Sequence, residues 1–455
     1  MGASVMWFRR DLRLSDNPAL RQALDEGEVL PLFVLDPVLW GPAGPSRRAY
    51  LAASLRDLDA QLGDLGAALQ VVRGKPVNRV VQAAKAVGAE RVHVAADYGP
   101  YGHQRDLDVE EALGGADIEL VRTGSPYAVA PDRIKNGSGK PYKVYTPFSR
   151  AWFDHGWRDP VDAPTKAATK GSWLTLDDGT TDIPDPRLPA GLDLPEAGEA
   201  AARRTLEEFL DKVEDYDRDR NLPGVQGTSR ISVHLKYGEL HPRTVLKAVS
   251  GKRSKGAETY RKEIAWRDFY ADVLFQRPDS AREYYQPDFA KMDYDDPGEA
   301  FEAWQEGRTG FPIVDAGMRQ LRATGWMHNR LRMITASFLV KDLHVEWQHG
   351  ARHFLHWLVD GDLASNNHGW QWTAGSGTDA SPFFRVFNPT GQGRKFDKDG
   401  EYVRTWVEEL SDPDQVPDPH EPSDEVREAV GYPAMIVDHA EERREALDRY
   451  ERIKK

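Results

Sequence analysis

Through the first 125 residues, short apolar runs alternate with stretches of helical periodicity, a rhythm few folds accept. Residues 3–8, 29–35, 69–72, 91–95 and 118–121 read as buried strands. Residues 47–62, 76–87 and 103–113 read as the helices between them, and Asp16-Asn17-Pro18 supplies a cap and a proline for another. Strands separated by helices pair in parallel, because the crossover helix must return the chain to the same edge. Such sheets bind ligands beyond the carboxyl ends of their strands.

From 131 to 200 the chain is rich in Pro, Gly, Asp and Thr and reads as a long connection. Within it, Asn136-Gly137-Ser138-Gly139-Lys140-Pro141 fails as a phosphate loop: the spacing is wrong, and Pro follows the lysine. Beyond 201 the pattern is helical, clearest over 201–213, 258–275, 312–324, 326–347 and 351–359, with a closing charged helix at 441–455. We therefore expect an α/β domain with a parallel, doubly wound sheet (1–130), a linker (131–200) and a larger all-α domain (201–455).

The chain has no cysteine, which excludes disulfides, thiol catalysis and Cys-ligated metals. No His or carboxylate spacing resembles a metal site. The net charge of −13 speaks against a surface that binds nucleic acid all over, yet leaves room for a local basic face. Residues 243–262 hold seven Lys and Arg against one acid, Glu258. They suit either a phosphate backbone or a solvated helix face. No apolar run spans a membrane and the first residues form no signal peptide, so a cytoplasmic protein, monomeric and without a long tail, is expected.

Three segments carry chemistry. In 360–372, Asp362, Asn366 and Trp370 recur every four residues and share a helix face that suits a flat, polar-edged ligand. Aromatic packing of a helical core accounts for it equally well. In 260–270, Tyr260, Glu263 and Arg267 share a face with Trp266 beside them, suited to stacking and hydrogen-bonding a planar base, or to a surface ion pair over a buried indole. Gly227-Thr228-Ser229-Arg230-Ile231-Ser232 reads as a helix start, either an anion site or ordinary capping.

Together these segments resemble the photolyase/cryptochrome family. Residues 7–17, the run Gly310-Phe311-Pro312-Ile313-Val314-Asp315-Ala316-Gly317-Met318-Arg319, and segments 326–333 and 360–372 are similar to its motifs in the family's order. The similarity runs from residue 4 to about 440 and is greatest to the class I cyclobutane-dimer photolyases. The resemblance implies FAD held by Tyr216, Thr228, Ser229, Arg230, Ile231, Ser232, Tyr260, Glu263, Arg267, Asn329, Arg332, Asp360, Asp362 and Asn366, with Asn366 at flavin N5 and Arg332 paired to Asp360. Substrate contacts would be Glu263, Trp266, Asn329, Arg330, Met333 and Trp372, in a pocket that receives a flipped dimer. Arg220, Arg330, Gln392 and Lys395 would meet DNA phosphates. Trp370, Trp347 and Tyr294 would relay electrons to oxidised FAD. Light-driven repair of pyrimidine dimers in ultraviolet-damaged DNA is the implied activity; cryptochrome signalling and (6-4) photoproduct repair are the alternatives.

Three positions depart from the family pattern. Tyr294 stands where a tryptophan is usual, which implies slower or less durable photoreduction. His368 stands where Gly is common, beside the flavin pocket. Asp97-Tyr98-Gly99-Pro100-Tyr101-Gly102-His103 is similar to relatives with an 8-hydroxy-deazaflavin antenna, whereas methenyltetrahydrofolate binders carry Asn-Glu there.

Overall fold

The computed structural model describes residues 2–169, 171–379 and 384–454. Five strands form one sheet: β1 (Gly2–Phe8), β2 (Gly27–Leu35), β3 (Gln70–Arg73), β4 (Arg91–Val94) and β5 (Glu119–Arg122). Every pairing is parallel and the order is β3-β2-β1-β4-β5. Val5 sits between Leu30 and Val92 at the centre of the sheet. Val5, Met6, Trp7 and Phe8 are buried on both faces, as a strand covered by helices must be. The chain doubles back between β1 and β4, so the crevice beyond their ends is the switch point of the sheet. The sheet is the doubly wound one expected.

The principal helices around the sheet are α1 (Pro18–Glu26), α2 (Pro45–Asp64), α3 (Pro76–Ala86) and α4 (Pro100–Gly114). Asn17 Oδ1 accepts from Leu20 N (3.2 Å), and Pro18 opens α1 where its missing N–H costs nothing. The connection from 131 is less plain than its composition suggests: it contains α5 (Tyr145–His155), which buries Tyr145, Phe148 and Trp152. Proline and glycine on either side masked that short amphipathic turn sequence.

Downstream come α6 (Glu199–Leu210), α7 (Ser232–Tyr237), α8 (Lys255–Gln276), α9 (Pro312–Thr324), α10 (Asn329–Lys341), α11 (Trp347–Trp357), α12 (Leu363–Ala374), α13 (Pro389–Phe396) and α14 (His439–Ile453). The single helix expected over 326–347 is instead α10 and the start of α11. Between them His344 takes φ +54°. His344 pairs with Glu442 (2.8 Å) and Asp342 with His439 (2.5 Å), so α14 ties down the break. Periodicity runs through a break of this kind, because the apolar residues on both sides face one core.

The chain divides into two compact units. One comprises Met1–Pro189, Pro195–Glu214 and Ser229–Pro278; the other Ala190–Leu194, Asp215–Thr228 and Asp279–Lys455. They interleave along the sequence rather than following one another. The first holds the sheet core around Trp7, Leu32 and Val92. The second holds a helical core around Trp304, Trp347, Phe354 and Trp370.

Candidate functional site

In the helical unit, α12 is the central element. Asp362 caps it, accepting from Ser365 N (3.1 Å), and so lies just outside the helix rather than within it. Its carbonyl accepts from Asn366 N (2.9 Å), which keeps Asp362, Asn366 and Trp370 aligned as the spacing requires. Asn366 Nδ2 donates to Ala351 O (3.2 Å) and Asn367 Oδ1 (2.9 Å), fixing the amide. Asp360, buried just before α12, accepts from Arg332 Nη2 at 2.8 and 3.1 Å, the pairing expected from the resemblance. Trp372, two residues on from Trp370 and so on another face of α12, is half-buried.

Trp370 packs on Phe354 (4.9 Å between centroids) and against Gly350 of α11, where an added Cβ would overlap the indole. Trp347, at the head of α11, is 1% exposed. The indole N–H groups of both Trp347 and Trp370 are buried with no protein acceptor. Trp347 meets the Tyr284 ring edge-on (6.3 Å, 80°), and Tyr284 stacks on Tyr294 (6.1 Å, 14°).

His368 turns inward from α12. Its Nδ1 meets Ala364 O (2.8 Å) and its Nε2 meets Ser280 Oγ (3.0 Å). Burial depresses its pKa to about 4, so the ring is neutral, donating to the carbonyl and accepting from the serine. This histidine is a structural tie to the 278–281 turn.

The phosphate candidates of this unit converge. Arg330 Nη2 donates to Asn221 Oδ1 (2.5 Å), and its guanidinium lies 4.3 Å over Phe396. Lys395 approaches the same ring (5.1 Å). Burial, and then the nearby Arg220, hold the Arg330 pKa below its usual value. Arg220 covers Tyr216 (5.5 Å), and Gln392 lies half-buried on α13. Met333 lies against Arg330 (3.8 Å), while Asn329 is exposed at the start of α10. Thr228 ends the 215–228 segment of this unit.

In the sheet-bearing unit, α8 presents Tyr260, Glu263, Trp266 and Arg267. Ser254 caps it through Ala257 N (3.2 Å). Tyr260 is buried on Phe209, while Glu263 and Trp266 are half-buried. One face of Trp266 is already covered: Tyr145 of α5 stacks on it at 3.7 Å and 7°. Arg267 donates to Pro126 O (2.8 Å) and Leu235 O (3.1 Å), so most of its guanidinium serves the fold. The helix expected at 227–232 begins only at Ser232, and its flanking residue Ile231 provides no side-chain cap. Arg230 before it adopts φ +52°.

The basic stretch 243–262 is largely spent internally. Arg243 is buried against Asp16 (3.4 Å), Lys247 pairs with Asp159 (2.8 Å), and Lys262 with Glu258 (2.6 Å). Arg261 donates to Val249 O and Lys252 O.

At the switch-point crevice, Arg9 pairs with Asp106 and donates to Ala95 O, and Arg105 bridges Asp97 (3.2 Å) and Asp106 (2.8 Å). Burial alone would raise the Asp97 pKa, but Arg105, Arg10 and Arg9 outweigh it and hold it at about 2. No group of three or more His, Cys, Asp or Glu among the described residues is arranged to hold a metal. No described helix is long and apolar enough to cross a membrane.

Residues 4–167 match the family model described as DNA photolyase, and 260–452 the FAD binding domain of DNA photolyase. A deoxyribodipyrimidine photo-lyase from Streptomyces griseus is 40% identical over 97% of this chain and 98% of its own. A class III photolyase structure from Agrobacterium tumefaciens superposes with TM-score 0.91 at 36% identity, covering 100% of this chain and 98% of that one. A photolyase from Sulfolobus tokodaii, solved with two FAD molecules, superposes with TM-score 0.85 at 30% identity, covering 99% and 100%. The chain belongs to the DNA photolyase family. Family membership, rather than the class I branch, is what these relatives share with it, since a class III enzyme stands among them.

Tyr284 and Tyr145 escaped the sequence reading. Neither shares a helix with its aromatic partner, and no spacing rule connects residues that only folding brings together.

Proposed function

We propose that this chain repairs cyclobutane pyrimidine dimers in DNA with light, using FAD. The observation that carries the reading is the full-length similarity to deoxyribodipyrimidine photo-lyases. The residues fit a flavin: the half-buried Arg332 paired with buried Asp360, a fixed Asn366 amide and two buried indoles whose N–H groups meet no protein acceptor supply polar edges and aromatic faces within one unit. Tyr216, Thr228, Ser229, Arg230, Ile231 and Ser232 would hold the diphosphate. Tyr260, Glu263, Arg267, Asn329, Arg332, Asp360, Asp362 and Asn366 would hold the rest.

When bound and reduced, FAD supplies an electron on excitation and takes it back after the ring has opened. The protein binds, orients and excludes water. Trp266 and Trp372 stack on the flipped dimer, each worth about 1–3 kcal/mol. Tyr145 backs one face of Trp266, and Phe269 and Tyr270 brace the ring at 5.6 and 5.3 Å between centroids, which fixes the indole for this stacking. Glu263 and Asn329 hydrogen-bond the pyrimidine edges, and Met333 packs beside them. Arg220, Arg330, Gln392 and Lys395 hold the phosphates, with Arg330 and Lys395 already gathered on Phe396. Trp370, Trp347 and Tyr294 form the relay that reduces an oxidised cofactor.

We further assign an 8-hydroxy-deazaflavin antenna, on the Asp97–His103 resemblance, to a monomeric cytoplasmic protein. The absorbance of released chromophore tests the antenna, a folate spectrum refuting it. Repair is tested with reduced protein, ultraviolet-irradiated oligothymidine, and blue light or darkness. Light-dependent recovery of thymine absorbance supports the reading. No recovery with reduced FAD bound would transfer it to (6-4) substrates or signalling.

A further inference from the structure

Resting on the relay proposed above, we propose that Tyr284 is the electron donor to oxidised Trp347, and that the Glu346 carboxylate takes its proton. The inference comes from geometry. Tyr284 neighbours both Trp347 and Tyr294, with ring centroids 6.3 and 6.1 Å away, so it offers a path from one to the other. Its hydroxyl donates to Glu346 Oε1 at 3.0 Å. Glu346 is the residue before Trp347 and flanks α11 without capping it, which leaves its carboxylate to the phenol. One short segment thus places the oxidant's indole and the base on the same tyrosine.

A base matters because a phenol is hard to oxidise while it keeps its proton. A neighbouring indole lacks one: Trp304 lies 6.1 Å from Trp370, but its N–H donates to the backbone carbonyl of Thr335 (3.0 Å). Burial raises the Tyr284 pKa far above its ordinary value, and the nearby Tyr294 and Glu346 raise it further. Simple ionisation is therefore closed to Tyr284, and coupled loss of an electron and a proton is the route left.

The step balances. Trp347 would lose one electron by way of Trp370, the oxidising power being what light-excited oxidised FAD would supply when bound. Tyr284 passes one electron to the Trp347 radical cation, restoring neutral Trp347. The phenol O–H breaks and its proton bonds to Glu346, leaving a neutral tyrosyl radical beside a neutral carboxylic acid. Tyr294, partly buried and stacked on Tyr284, covers the far side of that ring, and the radical rests on Tyr284.

Transient absorption and electron paramagnetic resonance on the full, FAD-loaded, oxidised protein test this. The wild type should form a tyrosyl radical whose rise slows in deuterated water. Y284F should lose that signal and leave a tryptophan radical that outlasts the wild type's, decaying only by recombination. E346Q should still oxidise Trp347 but delay the tyrosyl signal, a readout that needs no change to the aromatic stack. Tyrosyl formation unchanged in both variants, or lost only in Y294F, would overturn the proposal. W347F separates this from failure of the relay itself: radical formation intact in W347F would overturn the relay, and this step with it.

Discussion

His368 shows how little an unusual residue type reveals before its neighbours are known. Its sequence position two residues after Asn366 is compatible with tuning of flavin or substrate and more readily with simple tolerance, whereas its ring is turned to Ala364 and Ser280. Neutral His368 is what the fold needs. Its folded pKa of about 4 lies below the ordinary 6.5, so the unfolded chain binds the proton more readily. The contribution is therefore fully present above pH 6.5 and is lost as pH falls towards 4, by at most about 3 kcal/mol. His353, held at about 3 by burial and the nearby His356 and Arg322, adds to the same acid-side loss. Urea midpoints measured from pH 8 to pH 4 should fall more steeply for the wild type than for H368N. Parallel curves would deny His368 this role.

Among the elements, the α11–α12 contact depends on a missing side chain. Gly350 faces the Trp370 ring so closely that G350A must displace the indole or part the helices. A cost of about 1–3 kcal/mol is expected from overpacking, read as a lower denaturant midpoint. Flavin photoreduction should slow in the same variant, because Trp370 opens the proposed relay. Helix α5 acts at a distance in sequence in a similar way, since Tyr145 supplies the surface on which Trp266 lies. Y145A should weaken dark binding of a dimer-containing oligonucleotide by up to about tenfold, matching the roughly 0.5–1.5 kcal/mol of an aromatic pair, with Y145F restoring it. Equal affinity for all three proteins would mean that Trp266 holds its pose unaided. The α5 turns are visible in the sequence afterwards, but the stack is not: its members stand 121 positions apart, at 145 and 266.

For the whole molecule, the acidic total of −13 and a DNA substrate are reconciled by where cations gather without a carboxylate partner among the ion pairs described. The basic run at 243–262 looks like the DNA-binding surface in sequence, yet ion pairs and carbonyls absorb much of it. Arg330 and Lys395, far apart in the chain, share Phe396 instead. Dimer affinity should fall with salt, and K395A should lower the slope of log Kd against log salt by about one, as the loss of one phosphate contact requires. An unchanged slope would remove Lys395 from the interface.

The sequence by itself determined the sheet, its parallel pairing, most helices and the spacing of Asp362, Asn366 and Trp370. These are local or periodic properties, set by which side chains can be buried at intervals of two or of three to four residues. Only the tertiary structure decided where α10 ends, which arginines are spent, that His368 faces inward and that Tyr284 joins Trp347 to Glu346. Each of these depends on contacts between segments distant in the chain, and no residue carries a local mark of a partner that folding alone delivers.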